Sequence, residues 1–474
     1  MVKEDENISD NQIYSKISVK EKISYSLGDF ATGFAGVTVG SFALYYYTDV
    51  IGISASIIGA ILFFSRILDA ITNIIMGYLV DRTKSKHGKA RSWILWSTIP
   101  FGLSLVLVFS APTNWDDTAV LIFSIVILNL YFLAYTASNI PYGTLAALIT
   151  QDSIQRSNLN TFRMIAYFST NLLIPAITLP LVSWFGGGTI GWKITMVIYA
   201  IVLIITFFIT FFFTKERVKP VQIEEDNKKT SLKTALKNLI KNKYWVLMFG
   251  IMLLSFSILG LITGVNVYYA KIILGSADIV GLLNFLFTFP LLAGLFLTPL
   301  MIKRIGRRKT ISIGLIFLII GSSIMIFNTS SVFIISIGSI MRGIGFAPIM
   351  GNAYAMLADT IDYGEWKTGT RNDGLVYSGG GFSAILGSGI ASGGIGWVLG
   401  LGGYVGGNAS EQPSIVYSII ESLFIYSPII ISLLILLLLR FHNLDKFHLQ
   451  IIKDLQERSY SNQRRNDEIN INLN

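Results

Sequence analysis

Apolar residues run along this chain in long blocks separated by short polar stretches. Blocks of about 18 residues or more are long enough to cross a bilayer as helices, and they predict twelve spans. Six are expected at 24–47, 56–80, 93–111, 119–149, 162–184 and 192–214, and six more at 244–270, 279–302, 310–327, 331–357, 374–404 and 414–440. The polar segment KERVKPVQIEEDNKKTSLKTALKNLIKNK separates the sets. The expected layout is a polar tail (1–21), a six-helix bundle (22–214), a linker (215–243), a second bundle (244–440) and a polar tail (441–474).

Composition agrees with the pattern. Hydrophobic residues make up 52% of the chain and charged residues 14%, with a mean hydropathy of +0.61, as expected of an integral membrane protein. The formal charge of +9 could suggest nucleic acid. However, the basic residues fall in short loops between apolar blocks, where membrane topology accounts for them and no nucleic-acid partner is needed. The absence of cysteine excludes disulfides and thiol chemistry. His87, His442 and His448 lie in loops or the tail, so a histidine proton relay across the membrane is excluded. The polar opening residues predict no cleavable signal.

Lysine and arginine concentrate after the even-numbered spans. Examples are the 82–91 loop, Arg156, the linker, and Lys303, Arg304, Arg307, Arg308 and Lys309. The alternate loops carry few, Lys193 and Lys271 being exceptions, and include Asp116, Asp117 and Glu411. This asymmetry predicts that both termini and the linker face the cytoplasm of a multi-pass protein in the cell membrane.

Within the second span, Arg66, Asp69 and Asn73 are spaced by three and four residues, which places them on one helix face. Charge at membrane depth costs several kcal/mol unless paired or hydrated, so it points to a transport pathway, or else to an internal pair that pins helices together. PYGTLAALITQD (141–152) and PIMGNAYAMLAD (348–359) share a proline and an aspartate at equal spacing, each closing the fourth span of its set. The basic loop after the second span is answered by KRIGRRK after the eighth. Parallel repeats of this kind build transporters that bind substrate between their halves near mid-membrane.

GYLVDRTKSKHGKAR (77–91) resembles the loop signature of the major facilitator superfamily, in which Gly77 would permit close helix approach and Asp81 with Arg82 would form a cytoplasmic latch. SYSLGDF (24–30), LYYYTDVIGIS (44–54), SRILDAITNIIMG (65–77), HGKARSWIL (87–95), YTASNIPYGTL (135–145), RSNLNTFR (156–163) and ADTIDYGEWKTGTR (358–371) narrow the resemblance. Together they resemble the glycoside–pentoside–hexuronide cation symporters, over about residues 20 to 450.

The resemblance implies an all-α fold of twelve transmembrane helices in two pseudo-symmetric six-helix bundles. It also implies symport of a sugar or glycoside with sodium, lithium or a proton, with no other cofactor. The implied cation site is Asp69, Thr72, Asn73 and Thr136, with Asp69 the sodium ligand if sodium is the ion. Asn73 stands where family members carry a second acid. Gly33 and Asn139 stand at the family's sugar-binding acids, and Ile385 at a lysine many members carry. Selectivity is therefore expected to rest on Asn139, Tyr135, Tyr131, Tyr142 and Arg163. Tyrosines at these positions could equally be packing or interfacial aromatics, and Arg163, which matches the family's helix V arginine, could equally be a cytoplasmic gate partner. Asp29, in the family's GD pair, reads as a gate or helix-pairing residue.

Asp81, Arg82, Arg156, Asp359, Asp362, Glu365 and Arg371 read as a cytoplasmic gate that could pair across the halves, or as solvated loop charges. Arg342, between close glycines in the tenth span, is expected to face the cavity. The glycine-rich eleventh span suits either cavity lining or close packing. Glycine patterns there lack the strand and lysine of a nucleotide-binding loop. No nucleophile–base set suggests an enzyme. The expected activity is cation-coupled sugar uptake by a monomer in the bilayer, with an uncoupled facilitator or a transporter-like sugar sensor as alternatives.

Overall fold

The computed structural model describes residues 17–150, 153–218, 239–369, 373–407, 412–448, 450–455 and 457; within these, the side chains of Asp81, Ser153, Ile154, Arg156, Ser157, Asp373, Gly374 and Lys446 are outside the description. Twelve helices are long and apolar enough to cross a membrane. We number them α1 (Val19–Tyr45), α2 (Ala55–Arg82), α3 (Lys89–Val108), α4 (Asp117–Ile149), α5 (Ser153–Trp184), α6 (Gly188–Phe213), α7 (Lys243–Tyr268), α8 (Ile279–Ile305), α9 (Arg307–Ile324), α10 (Val332–Thr368) and α11 (Asp373–Leu401). The last, α12, comprises Ser414–Glu421, a π-turn at Ser422–Tyr426, and Ser427–Phe441.

The count matches the apolar blocks, while the ends differ where polarity and helicity part company. α10 continues as far as Thr368, beyond the expected end at 357, because ADTIDYGEWKT stays helical after leaving the apolar layer. Gly369, at φ +70, then stops it in a left-handed turn that disfavours a side chain.

The two halves repeat in detail. Pro141 and Pro348 each lie inside the fourth helix of their set. The first helix of each set ends in a π-turn, Tyr46–Val50 after α1 and Tyr269–Ile273 after α7. Each π-turn is followed within a few residues by a positive-φ glycine, Gly52 or Gly275. The matching sequences, LYYYTDVIG and VYYAKIILG, form a repeat that apolar-run reading passes over.

Ile99, Leu103, Ile201, Phe296, Leu433 and Leu437 are exposed on the perimeter, where hydrocarbon rather than water would cover them. One buried apolar cluster fills the first half and crosses to α7, α11 and α12 at the end away from the termini; a second fills the other half. Small residues let α2 and α11 approach closely. A Cβ on Gly396 would fall 2.5 Å from the Ala55 carbonyl, and one on Gly393 would fall 2.8 Å from Phe63. The contact runs as far as Gly389 against Arg66. Further along α2, Ile74, Ile75 and Tyr78 are exposed. Gly389, Gly393 and Gly396 of the eleventh span thus pack against α2, while Ile385, Ser388 and Ser392 face a cavity.

Candidate functional site

Between the halves lies a cavity of about 260 Å³. α1 contributes small residues (Gly36, Gly40, Ser41), α4 contributes Tyr131, Phe132 and Tyr135, and α5 contributes Tyr167 and Asn171. From the second half come Thr263 on α7 and Ile385, Ser388 and Ser392 on α11. Aromatic faces with a few hydroxyls and amides suit a small polyhydroxylated molecule. Tyr131 is buried, and its hydroxyl lacks a hydrogen-bond partner.

One wall is charged. Arg66 lines the cavity from α2, its guanidinium 4.4 Å from the Phe132 ring centre. Its Nη1 stands 3.4 Å from Asp69 Oδ2, and the Asp69 side chain is 2% exposed. Asp69 Oδ1 accepts from the Thr136 hydroxyl at 2.6 Å and from the Asn73 amide at 3.0 Å. The Asn73 amide also donates to the Asp69 carbonyl at 2.6 Å and to Thr136 Oγ1 at 3.2 Å. Thr72 donates its hydroxyl to the same carbonyl at 2.9 Å. The i+3 and i+4 spacings of α2 and one facing residue of α4 therefore form a single cluster around a buried carboxylate.

The other expected substrate residues divide. Tyr131 and Tyr135 reach the cavity. Asn139 is not among the residues lining it. Tyr142 is turned away: its hydroxyl donates to the Tyr25 carbonyl at 2.9 Å, and its ring stacks on Tyr25 at 4.9 Å. Arg163 lies over that ring and forms a two-pronged pair with Asp29, at 2.6 and 3.1 Å. In this arrangement Arg163, Asp29 and Tyr142 join α1, α4 and α5 instead of lining the cavity. Gly33 shows why no acid fits there: a Cβ would lie 2.5 Å from Thr170 Oγ1 and 2.9 Å from Tyr167. Arg342 is buried away from the cavity, donating to Ser322 Oγ and to the Phe424 carbonyl in the π-turn of α12, both at 2.8 Å. A π-turn frees carbonyls, and the guanidinium satisfies one of them.

At the end away from the termini the halves are bolted together. Asp49, in the π-turn of α1, accepts from Lys271 Nζ, in the π-turn of α7, at 2.7 Å. Tyr404 donates to both Asp49 oxygens at 2.9 and 3.0 Å, and the Gly407 amide adds a bond of 3.3 Å. The Thr48 and Tyr268 hydroxyls meet at 3.1 Å. Single charges near span ends are ordinary, and a separation of 222 residues hides the pairing from sequence reading.

At the other end, Asp359 pairs with Arg307, and Asp362 bonds His448 at 2.9 Å, both within the second half and its tail. Glu365 occupies the last turn of α10. These two pairs lie within one half, where the sequence left open both pairing across the halves and solvated loop charges. Arg82 lies over the Tyr78 ring at 4.2 Å. Of the remaining expected gate residues, the Asp81 and Arg156 side chains and all of Arg371 lie outside the described residues. Glu216, at the start of the linker, was not singled out from sequence. Its carboxylate accepts from the Lys89, Ala90 and Arg91 amides at 3.0, 2.9 and 2.8 Å, capping α3.

Comparison with known proteins places this geometry in context. A family model described as MFS/sugar transport protein matches residues 24–446. The chain is 34% identical over 445 residues to the isoprimeverose transporter of Lactiplantibacillus pentosus, covering 92% of this chain and 91% of that one. It is 32% identical over 461 residues to an inner membrane symporter of Escherichia coli (strain K12), covering 92% and 95%. Among solved structures, a D-xylose–proton symporter superposes with a TM-score of 0.61 at 15% identity, covering 88% of this chain and 96% of that one, a likeness of fold.

Proposed function

The chain belongs to the MFS/sugar transport protein family, and on that premise we propose that it carries a sugar or glycoside into the cell together with a cation, by alternating access. The observation that carries this reading is the placement of Asp69: a buried carboxylate one side chain behind the cavity wall, linked to the cavity through Arg66.

The sugar lies between the halves. Tyr131, Tyr135, Asn171, Ser388 and Ser392 offer hydrogen bonds, and the ring faces pack against its C–H surfaces. Asp69 holds the cation, with Thr72, Asn73 and Thr136 as neighbouring oxygen ligands. Arg66 couples the two: its single contact with Asp69, at 3.4 Å, is long for an ion pair. A cation on Asp69 releases Arg66 toward the sugar, and a sugar that engages Arg66 leaves Asp69 in need of a cation. That is reciprocal coupling between two sites.

With the termini in the cytoplasm, the orientation that the loop charges favour, the Asp49–Lys271 bolt closes the outer face of a cytoplasm-facing state. Residues 22–214 rock against 244–440. Arg82, Asp359, Asp362 and Glu365, with Asp81, Arg156 and Arg371, exchange partners to close the cytoplasmic face in the opposite state. One chain supplies both walls of the cavity and works as a monomer in the cell membrane.

Uptake of labelled glycosides into proteoliposomes under imposed sodium or proton gradients tests this reading. Accumulation above equilibrium under one gradient, lost in Asp69→Asn, is the expected result. Equilibration indifferent to gradients and to the substitution favours a second reading, an uncoupled carrier. A specific observation supports that alternative: Asn73 presents N–H, not oxygen, to Asp69, so the carboxylate is already supplied with internal donors.

A further inference from the structure

Gly40 is a glycine that the fold does not require. It lies in the interior of α1, and its φ is not positive. Alanine is the better helix former at such a position. A Cβ on Gly40 would meet nothing within 4 Å, and the residue is exposed although it sits between the halves. The other glycines of the cavity are placed differently. A Cβ on Gly260 would fall 2.7 Å from Ala391 Cβ, and one on Gly36 would make an ordinary contact with Tyr135 at 3.6 Å.

The repeat isolates the same position. Gly40 stands as far before the π-turn of α1 as Thr263 stands before that of α7, and both line the cavity. One helix carries a side chain there and the other carries none. A glycine with no packing or conformational reason marks the close approach of another group to the backbone.

The space beyond Gly40 defines that group. The cavity continues into a narrow extension of about 20 Å³, room for one water-sized group. Gly40, Arg66, Phe132, Gly260 and Ser392 line both spaces and so form the mouth. The walls beyond are Val39, Leu44, Leu62, Gly264 and Ile395, none with a polar side-chain atom. Leu62 and Ile395 lie on the bolt side of Arg66, as the successive contacts of α2 with α11 place them. A void with apolar walls stays dry, and a hydroxyl pushed into it would lose its hydrogen bonds without replacement.

We propose that this extension is a subsite for a methyl-sized apolar group on the transported sugar, such as the methyl of a 6-deoxyhexose or of a methyl glycoside. Gly40 determines specificity by leaving the entrance open. The sugar ring stays in the main cavity among Tyr131, Tyr135, Asn171 and Ser388, where its hydroxyls find partners. The subsite rests on the transport reading.

Calorimetric binding of sugars to the purified full chain tests it. Xylose, 6-deoxyglucose and glucose carry hydrogen, methyl or hydroxymethyl on the same carbon, and glucose and galactose are also compared with their methyl glycosides in both anomers. In at least one of these comparisons the methyl-bearing sugar should bind about tenfold more tightly than its partners. Gly40→Ala places its own methyl in the entrance, so that preference should vanish. Its melting temperature should hold or rise, because the added Cβ meets no atom and alanine favours the helix, which separates a lost preference from misfolding. Gly394→Ala adds the same methyl outside the cavity lining and should keep the preference. Equal binding with and without the methyl, or a preference that survives in Gly40→Ala, overturns the subsite. Failure of all these sugars to bind overturns it too, while gradient-driven uptake of other glycosides decides the transport reading separately.

Discussion

Asp69 keeps a charge inside the bundle because Thr136, Asn73 and Arg66 all donate to its carboxylate. Removing the shortest of these bonds, in Thr136→Val, should weaken cation-dependent uptake about tenfold while sparing exchange of sugar down its gradient. Flux measured with and without an ion gradient separates the two. Asn73→Asp should replace a donor with a second carboxylate, and sodium-stimulated uptake should appear or strengthen, since hard cations bind oxygen ligands. His442, just past α12, tests burial directly. Desolvation holds its ring below the ordinary histidine pKa, so the folded protein resists protonation that the unfolded chain accepts. Its contribution is fully present above about pH 6.5 and is lost as pH falls below that value toward the folded pKa. Apparent melting temperature should therefore fall between pH 7.5 and 5.5, and less steeply in His442→Asn. The Asp69 cluster was legible because helical spacing alone puts 66, 69 and 73 on one face. The positions of Tyr142 and Arg163 were not legible, because Asp29 and the Tyr25 carbonyl on another helix hold them away from the cavity.

At the scale of elements, apolar length was enough to count the helices, and lateral packing decided what each does. The α2–α11 contact rests on missing side chains. Gly396→Val would drive atoms into the Ala55 carbonyl, and overpacking of this kind costs about 1–3 kcal/mol. A lower melting temperature in detergent, with Gly394→Ala nearly neutral because a Cβ there meets open space, is the expected pair of results. Glycine content announced this helix in the sequence. Which glycines face α2, and which neighbours face the cavity, depends on the helix's rotation about its axis, which composition does not encode. The extension of α10 escaped for a related reason: hydropathy reports the apolar layer, not where backbone hydrogen bonding stops.

For the whole molecule, the repeat of six helices was visible in the sequence, and the state it occupies was not. That state is set by contacts such as Asp49 with Lys271, which form only when the halves meet. Removing one partner of a buried pair costs about 3–5 kcal/mol, so Asp49→Asn should shift the population strongly toward the opposite state. The chain contains no cysteine, so a single Ser388→Cys reports cavity access without background. Its labelling by a membrane-impermeant thiol reagent from outside should rise at least tenfold in the Asp49→Asn background. Unchanged labelling would mean that the bolt does not govern access.

The bolt also has a direction. Its ion pair could be reversed on paper, by Asp49→Lys with Lys271→Asp, and the attraction between the halves would return. The Gly407 amide could not follow, because a backbone N–H only donates, and it would then face an ammonium that also only donates. One half therefore supplies the hook and the other the eye. Two bundles descended from one pattern have become unlike at the point where they must recognise each other, and a protein assembled from two copies of either bundle would have nothing to fasten.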